Sequence, residues 1–209
     1  MNNIDYVKSE IIKIGKTIKA CDSSIKDVEE AESLSNIVSL VKRNARFLLD
    51  EVPGDTQNTY LDKIISLFNE RTAIRNGIIY KADGLIINNI EKKYLIFRCK
   101  NVIIKSKACS IIDSQGIISS SSVCAVINSK NIILSGMRAR VYDSAAMTDD
   151  LSYVYARNSS LMTKEGISAR SKRSIITSFP ESITSRKESR YGDIDSDTSI
   201  NERNDISYI

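Results

Sequence analysis

A chain of 209 residues, 42% of them apolar, can bury a core of Ile, Val, Leu and Ala, which excludes wholesale disorder. The sequence contains no histidine, which excludes Ser-His-Asp and Cys-His catalysis and any His-ligated metal. The net charge of +4 is unevenly spread: about neutral over 1–75, about +4 over 76–156, about +5 over 157–190 and about −4 over 191–209.

The first stretch has helical period. Ile4, Val7, Ile11, Ile14, Ile18, Cys21, Ile25 and Val28 recur at alternating steps of three and four, a heptad seam flanked by Lys8, Lys13, Lys16 and Lys26. A stripe this narrow points to a coiled coil between copies, with Ile4, Val7, Ile11, Ile14, Ile18, Ile25 and Val28 as the oligomer seam. A single short helix on a small core is the alternative, and Gly15 costs either version about 1 kcal/mol relative to Ala. Asp22-Ser23-Ser24 opens a second helix, with Ser24 and Asp27 spaced as a capping box. Leu34, Val38, Val41, Ala45 and Leu48 continue the helical spacing to about residue 50. Pro53-Gly54 marks a turn, and a third helix follows on Leu61, Ile64, Ile65, Phe68 and Thr72, ended by Asn76-Gly77. Residues 1–76 are therefore expected to be a helical hairpin or small bundle that oligomerises.

From Ile78 the texture turns to Ile, Tyr and Phe, which suits strands. Residues 98–142 then repeat every 15 residues: RCKNVIIKSKACSII, DSQGIISSSSVCAVI, NSKNIILSGMRARVY. Cys99, Ser114 and Ser129 share one column, and Asn101, Gly116 and Asn131 another; the last three tolerate the left-handed backbone of a tight turn. Val102, Ile117 and Ile132 form an apolar column, as do Cys109, Cys124 and Ala139. Beyond Tyr142 the period weakens, yet an Asp/Asn-Ser pair recurs at 113, 128, 143 and 158. Like residues at one fixed interval predict a β-solenoid whose coils stack about 4.8 Å apart; an antiparallel meander with hairpin turns at the same places is the alternative. The fold expected is segregated α+β: a helical region 1–76, a β-repeat 77–178, and a flexible Ser/Asp/Arg-rich tail 179–209.

Little of this composition points to chemistry. Asp113 and Asp143 lie two coils apart in one column, about 9.5 Å by stacking, within the window of an inverting glycosidase. Turn carboxylates ordinarily bond their own backbone, so this stays the weakest of three readings. A zinc site would need Cys99, Cys109 and Cys124 to converge; buried free thiols are the expectation, and no metal or cofactor is assigned. No phosphate-cradling glycine motif is present. The basic segment 164–190 offers Arg170, Lys172, Arg173, Arg186, Lys187 and Arg190 as a polyanion-binding candidate. Tyr191 stands directly beside it, short of the stacking platform a single-strand binder needs.

The Ile/Val coils resemble the β-helix of cyclase-associated and tubulin-cofactor-C proteins and bactofilin filaments over about 60 residues, which implies a scaffold and no transferable functional residue. A helical segment ahead of a β-repeat is similar in layout to viral and phage fibre proteins. The function expected is a non-enzymatic structural or interaction protein that self-associates through its helices and β-repeat and offers the β-repeat face to a protein partner. A nucleic-acid-associated protein working through its basic tail is the second expectation. With no run of 18 apolar residues and no signal peptide read at the start, a cytoplasmic, host-cell or virion location is expected.

Overall fold

The computed structural model describes residues 4–164, 168–179, 191–194 and 199–202. It divides into two units, 1–78 and 79–209.

In the first unit, α1 (Ile4–Thr17) buries Val7 and Ile11 and packs on α2 (Asp22–Glu29) and on α4 (Tyr60–Ser66); α2 packs in turn on α3 (Leu34–Asn44). The heptad run is not one helix. It bends after α1, where Lys19 takes a left-handed φ of 54° and the Ala20 N–H reaches back to the Gly15 carbonyl at 2.8 Å, a Schellman-type ending. The expected Ser24 cap is also corrected: α2 begins at Asp22, and Cys21 occupies its N-cap without a side-chain capping bond. Ser33 instead caps α3, its Oγ accepting from the Asn36 N–H. Thr59 and Asp62 form a reciprocal capping box on α4. The third predicted helix is split, because Asn69 caps a separate α5 (Glu70–Arg75). The Pro53-Gly54 turn joins two short antiparallel strands, β1 (Glu51–Val52) and β2 (Asp55–Thr59), with Gly54 at φ 82°.

The second unit is a parallel β-solenoid of about five turns. Its strands are β3 (Ile78–Tyr80), β4 (Ile86–Phe97), β5 (Ile103–Ile112), β6 (Gln115–Ser120), β7 (Val123–Ile127), β8 (Lys130–Tyr142), β9 (Ala145–Arg157), β10 (Ser160–Lys164), β11 (Ser168–Lys172), β12 (Ile175–Phe179), β13 (Tyr191–Ile194) and β14 (Ser199–Glu202). From β4 onward every described pairing is parallel, which rules out the meander: its hairpins would pair antiparallel. Two strands, β13 and β14, extend this pairing into the expected tail region, β13 on β11 and β14 on β12.

Each coil has two faces enclosing a largely apolar interior. Face one carries Val102, Ile117, Ile132, Ala146 and Leu161 inward; face two answers with Cys109, Cys124, Ala139 and Val154 and with Ile111, Val126, Val141 and Ala156. The period is set at one corner. Arg98, Asp113, Asn128, Asp143, Asn158 and Arg173 all have φ between 46° and 52°, each 15 residues after the last. Asn101, Gly116 and Asn131 repeat the left-handed turn three residues on, at 51°, 68° and 55°. The coil opening at Asp143 lacks this second turn. Ala146 pairs with Ile132, one residue early, and the interval recovers where Ser135 meets Asp150. That deletion ends the Asn/Gly column while the Asp/Asn-Ser column runs on.

Directly after each of these corners stands a buried serine, except after Arg98, where Cys99 takes the place. The backbone N–H of Cys99 donates to Ser114 Oγ, that of Ser114 to Ser129 Oγ, Ser129 to Ser144, Ser144 to Ser159 and Ser159 to Ser174, at 3.0 to 3.4 Å. The Ser114, Ser129, Ser144 and Ser159 hydroxyls donate in turn to the carbonyl two residues back, at 2.5 to 2.8 Å. A corner amide that cannot join the sheet ladder thus finds an acceptor inside the solenoid.

Ser129→Ala orphans the buried Ser114 N–H and should lower unfolding free energy by about 1–3 kcal/mol, read by urea titration; a neutral result contradicts the ladder's structural role. Gly15→Ala should raise stability by about 0.5–1 kcal/mol, since its Cβ would meet only Ile25 Cγ1 at 3.6 Å and Ala20 Cβ at 3.8 Å, and a lower melting point would contradict that packing.

Candidate polyanion-binding face

Alternation along face two fixes what it shows to solvent. With Cys109, Ile111, Cys124, Val126, Ala139, Val141, Val154 and Ala156 inward, the intervening residues are the outer ones. In the first two 15-residue coils these are uncharged: Ala108 and Ser110, then Val123 and Ala125, while Ile112 and Ile127, next in the same alternation, are buried. At β8 the character changes to Arg138, Arg140 and Tyr142, followed on β9 by Tyr153, Tyr155 and Arg157.

The register sets unlike residues side by side. Arg138 pairs with Tyr153, Arg140 with Tyr155 and Tyr142 with Arg157. One coil further, Tyr153 pairs with Ser168, Tyr155 with Arg170 and Arg157 with Lys172. Arg138, Arg140 and Arg157 are exposed, and the three tyrosines are half-buried. The Tyr142 and Tyr155 rings lie 6.0 Å apart, tilted by 56°. Among these nine positions five are basic and none acidic. Neighbouring coils stand about 4.8 Å apart, and alternate residues of a strand about 6.6 Å. The nine positions therefore span about 10 Å by 13 Å, with tyrosine positions interleaved among the basic ones. Arg157 and Lys172 are the one like-charged pair of register partners among them, an arrangement sheets disfavour.

Of the predicted polyanion residues, Arg170 and Lys172 join this register on β11, and Arg173 is exposed at the next left-handed corner. Arg186, Lys187 and Arg190 lie outside the described residues. The missing aromatic platform is a correction. Tyr142, Tyr153 and Tyr155 stand in register with the basic residues, one or two coils back along the chain. RARVY and YVYAR already carried the signal, since the 15-residue grid alternates Arg138 and Arg140 with inward Ala139 and Val141.

The seam residues are divided. Val7, Ile11 and Val28 are buried in the unit's own core. Ile11, Ile14, Ile18, Ile25 and Val28 line an open apolar groove of about 460 Å³ with Phe47, a residue 74% exposed. Ile4 begins α1, half-buried.

Asp113 and Asp143 do share a column, with Asn128 between them, and both have corner work to do. Arg98 Nε sits 3.8 Å from Asp113 Oδ2, and Asn158 Nδ2 donates to Asp143 Oδ1 at 3.0 Å. Cys99 occupies the serine column, whereas Cys109 and Cys124 touch across adjacent coils at 3.0 Å. Among the described residues no cluster of three or more Cys, Asp or Glu is arranged to hold a metal, and no helix is long and apolar enough to cross a membrane. The Cys124 thiol is pushed well up, by its hydrogen bond to Cys109 and by burial. Cys21 behaves oppositely: contacts with the Ser23 and Ser24 hydroxyls, at 3.3 and 3.1 Å, stabilise its thiolate and bring it down to about 7.

Compared with known proteins, the chain matches no family model, no curated protein and no solved structure. The functional reading therefore rests on its own geometry.

Cys21 should be the one cysteine alkylated by iodoacetamide in the native protein, with half-maximal rate near pH 7, because the thiolate is the nucleophile. Replacing Ser23 and Ser24 by Ala should move that midpoint up toward the ordinary thiol value of about 8.5. A midpoint unchanged by the double substitution contradicts the hydroxyl contacts as its cause.

Proposed function

We propose that this protein is a non-enzymatic scaffold whose solenoid binds a polyanion on face two. The observation that supports it is the Arg/Tyr lattice of β8, β9 and β11: five cations at nine positions of one flat surface, with no carboxylate among them. Like charge gathered on a sheet costs stability, and a position that breaks a local rule points to a functional reason. The face needs no moving part, because the coils beneath it are held by the serine ladder and an apolar core. Such a surface binds phosphates or sulfates by releasing their counterions, so its affinity falls steeply with salt.

Replacing Arg138, Arg140 and Arg157 together by Ser should weaken binding to an immobilised polyanion. It should lower the log–log salt slope by about 2–3, at about 0.7–0.9 per lost contact. The melting temperature should hold, since all three side chains point outward. Replacing Arg186, Lys187 and Arg190 should change the slope little; the reverse pattern would return the site to the tail.

Self-association through the helical unit is the second reading. It is favoured by the groove lined by Ile14, Ile18, Ile25 and Phe47, whose apolar surface a second copy would cover. Light scattering on the full chain should then give a mass above 23.3 kDa, and Ile18→Glu with Phe47→Glu should return it to the monomer. A monomeric parent protein sinks this reading and leaves the first untouched.

A further inference from the structure

We infer that the ligand of face two is single-stranded nucleic acid, its backbone held by the arginines and its bases stacked on Tyr153 and Tyr155. This rests on the polyanion reading above and narrows it. Charge alone would not call for the tyrosines. A sulfated glycan or a polyphosphate has no flat π-face to set against a ring, and serine or lysine at 153 and 155 would serve such a ligand better. Bases do have that face, and aromatic side chains beside a basic track are how single strands are held without regard to sequence.

The surface shape supports the same choice. Duplex DNA is read by elements that enter a groove, a helix or a two-stranded ribbon. Face two is instead a parallel sheet with neighbours on either side, and β9 lies between β8 and β11. A sheet can touch a duplex only along its phosphate ridges, where the rings would find nothing to stack on. An unpaired strand laid across a sheet can splay its bases onto rings, the way four-stranded RNA-binding sheets stack two or three bases.

The lattice also has the right repeat. Tyr153 and Tyr155 are alternate residues of β9, so their Cα atoms stand about 6.6 Å apart. Each ring has an arginine in register on the adjoining coil: Arg138 beside Tyr153, and Arg140 and Arg170 on the two sides of Tyr155. Each ring-and-cation pair can take one base and one phosphate. A strand running along β9 would therefore meet about two nucleotides on the rings and one more at Arg157.

The test uses the full chain with three probes: a mixed-sequence 20-nucleotide single strand, the same sequence as a duplex, and heparin. Titrations at one fixed salt concentration should give affinity for the single strand at least tenfold above the duplex. Tyr153→Ala with Tyr155→Ala should weaken single-strand binding by about tenfold or more and leave heparin binding within about twofold, as counterion release requires. Tyr153→Phe with Tyr155→Phe should restore the single-strand affinity, which a merely structural effect of truncation would also allow, so the unchanged heparin binding is the control for folding. If the alanine variant binds all probes as the parent does, or if the duplex binds as tightly as the single strand, the inference falls and the general polyanion reading stands. If the parent chain binds none of the three probes, both fall together.

Discussion

The solenoid depends on one hydrogen bond made over and over. A coil that turns sharply takes its corner backbone out of the sheet ladder, and the freed amide, once buried, must still find an acceptor. Here the acceptor is the hydroxyl of the serine one coil further on, from Ser114 to Ser174. The residue before each serine must adopt positive φ, which explains Asp or Asn at 113, 128, 143 and 158. Arg98 and Arg173 take the same strained backbone at the two ends of this series. The spacing of 15 residues is thus the distance between successive links of one chain of bonds, and the sheet register follows from it.

A fixed register is what turns sequence into surface. Because face two keeps the same alternation from coil to coil, residues 15 apart become neighbours on it, and the face can be written one coil at a time. The early coils write small or apolar residues on the outside of face two, at 108, 110, 123 and 125. The later ones write arginine and tyrosine. Function is therefore a property of part of the repeat, on a frame common to all of it. The apolar core under Arg138 and Arg140 is Ala139 and Val141, small and β-branched, and holds the strand flat without help from the charged residues.

The repeat was legible because its columns are chemically uniform: the positive φ values at Asn101, Gly116 and Asn131 and the inward places of Ile117 and Cys124 follow from residue type at a fixed interval. Other features left a weaker trace. The seam from Ile4 to Val28 keeps heptad spacing through a helix end, because steps of three and four do not reveal a left-handed Lys19 between them. A break between α4 and α5 hinges on Asn69 acting as a cap, which competes locally with continuing the helix. That the serine rather than its Asp/Asn neighbour turns inward depends on the corner's backbone angles. The Arg/Tyr face was missed for a different reason. Its members are scattered along 35 residues of chain, whereas the run 164–190 is basic by adjacency, and adjacency along the chain is not adjacency across coils.

The most direct measurement is amide hydrogen exchange on the full chain, with and without a single-stranded oligonucleotide. The account predicts that Ser114, Ser129 and Ser144 N–H groups exchange slowly in both states, and that the ligand adds protection at 138–142 and 153–157 and leaves the helical unit unchanged. Ligand-induced protection confined to 180–190 or to the helices, or fast exchange at those serines, would contradict it.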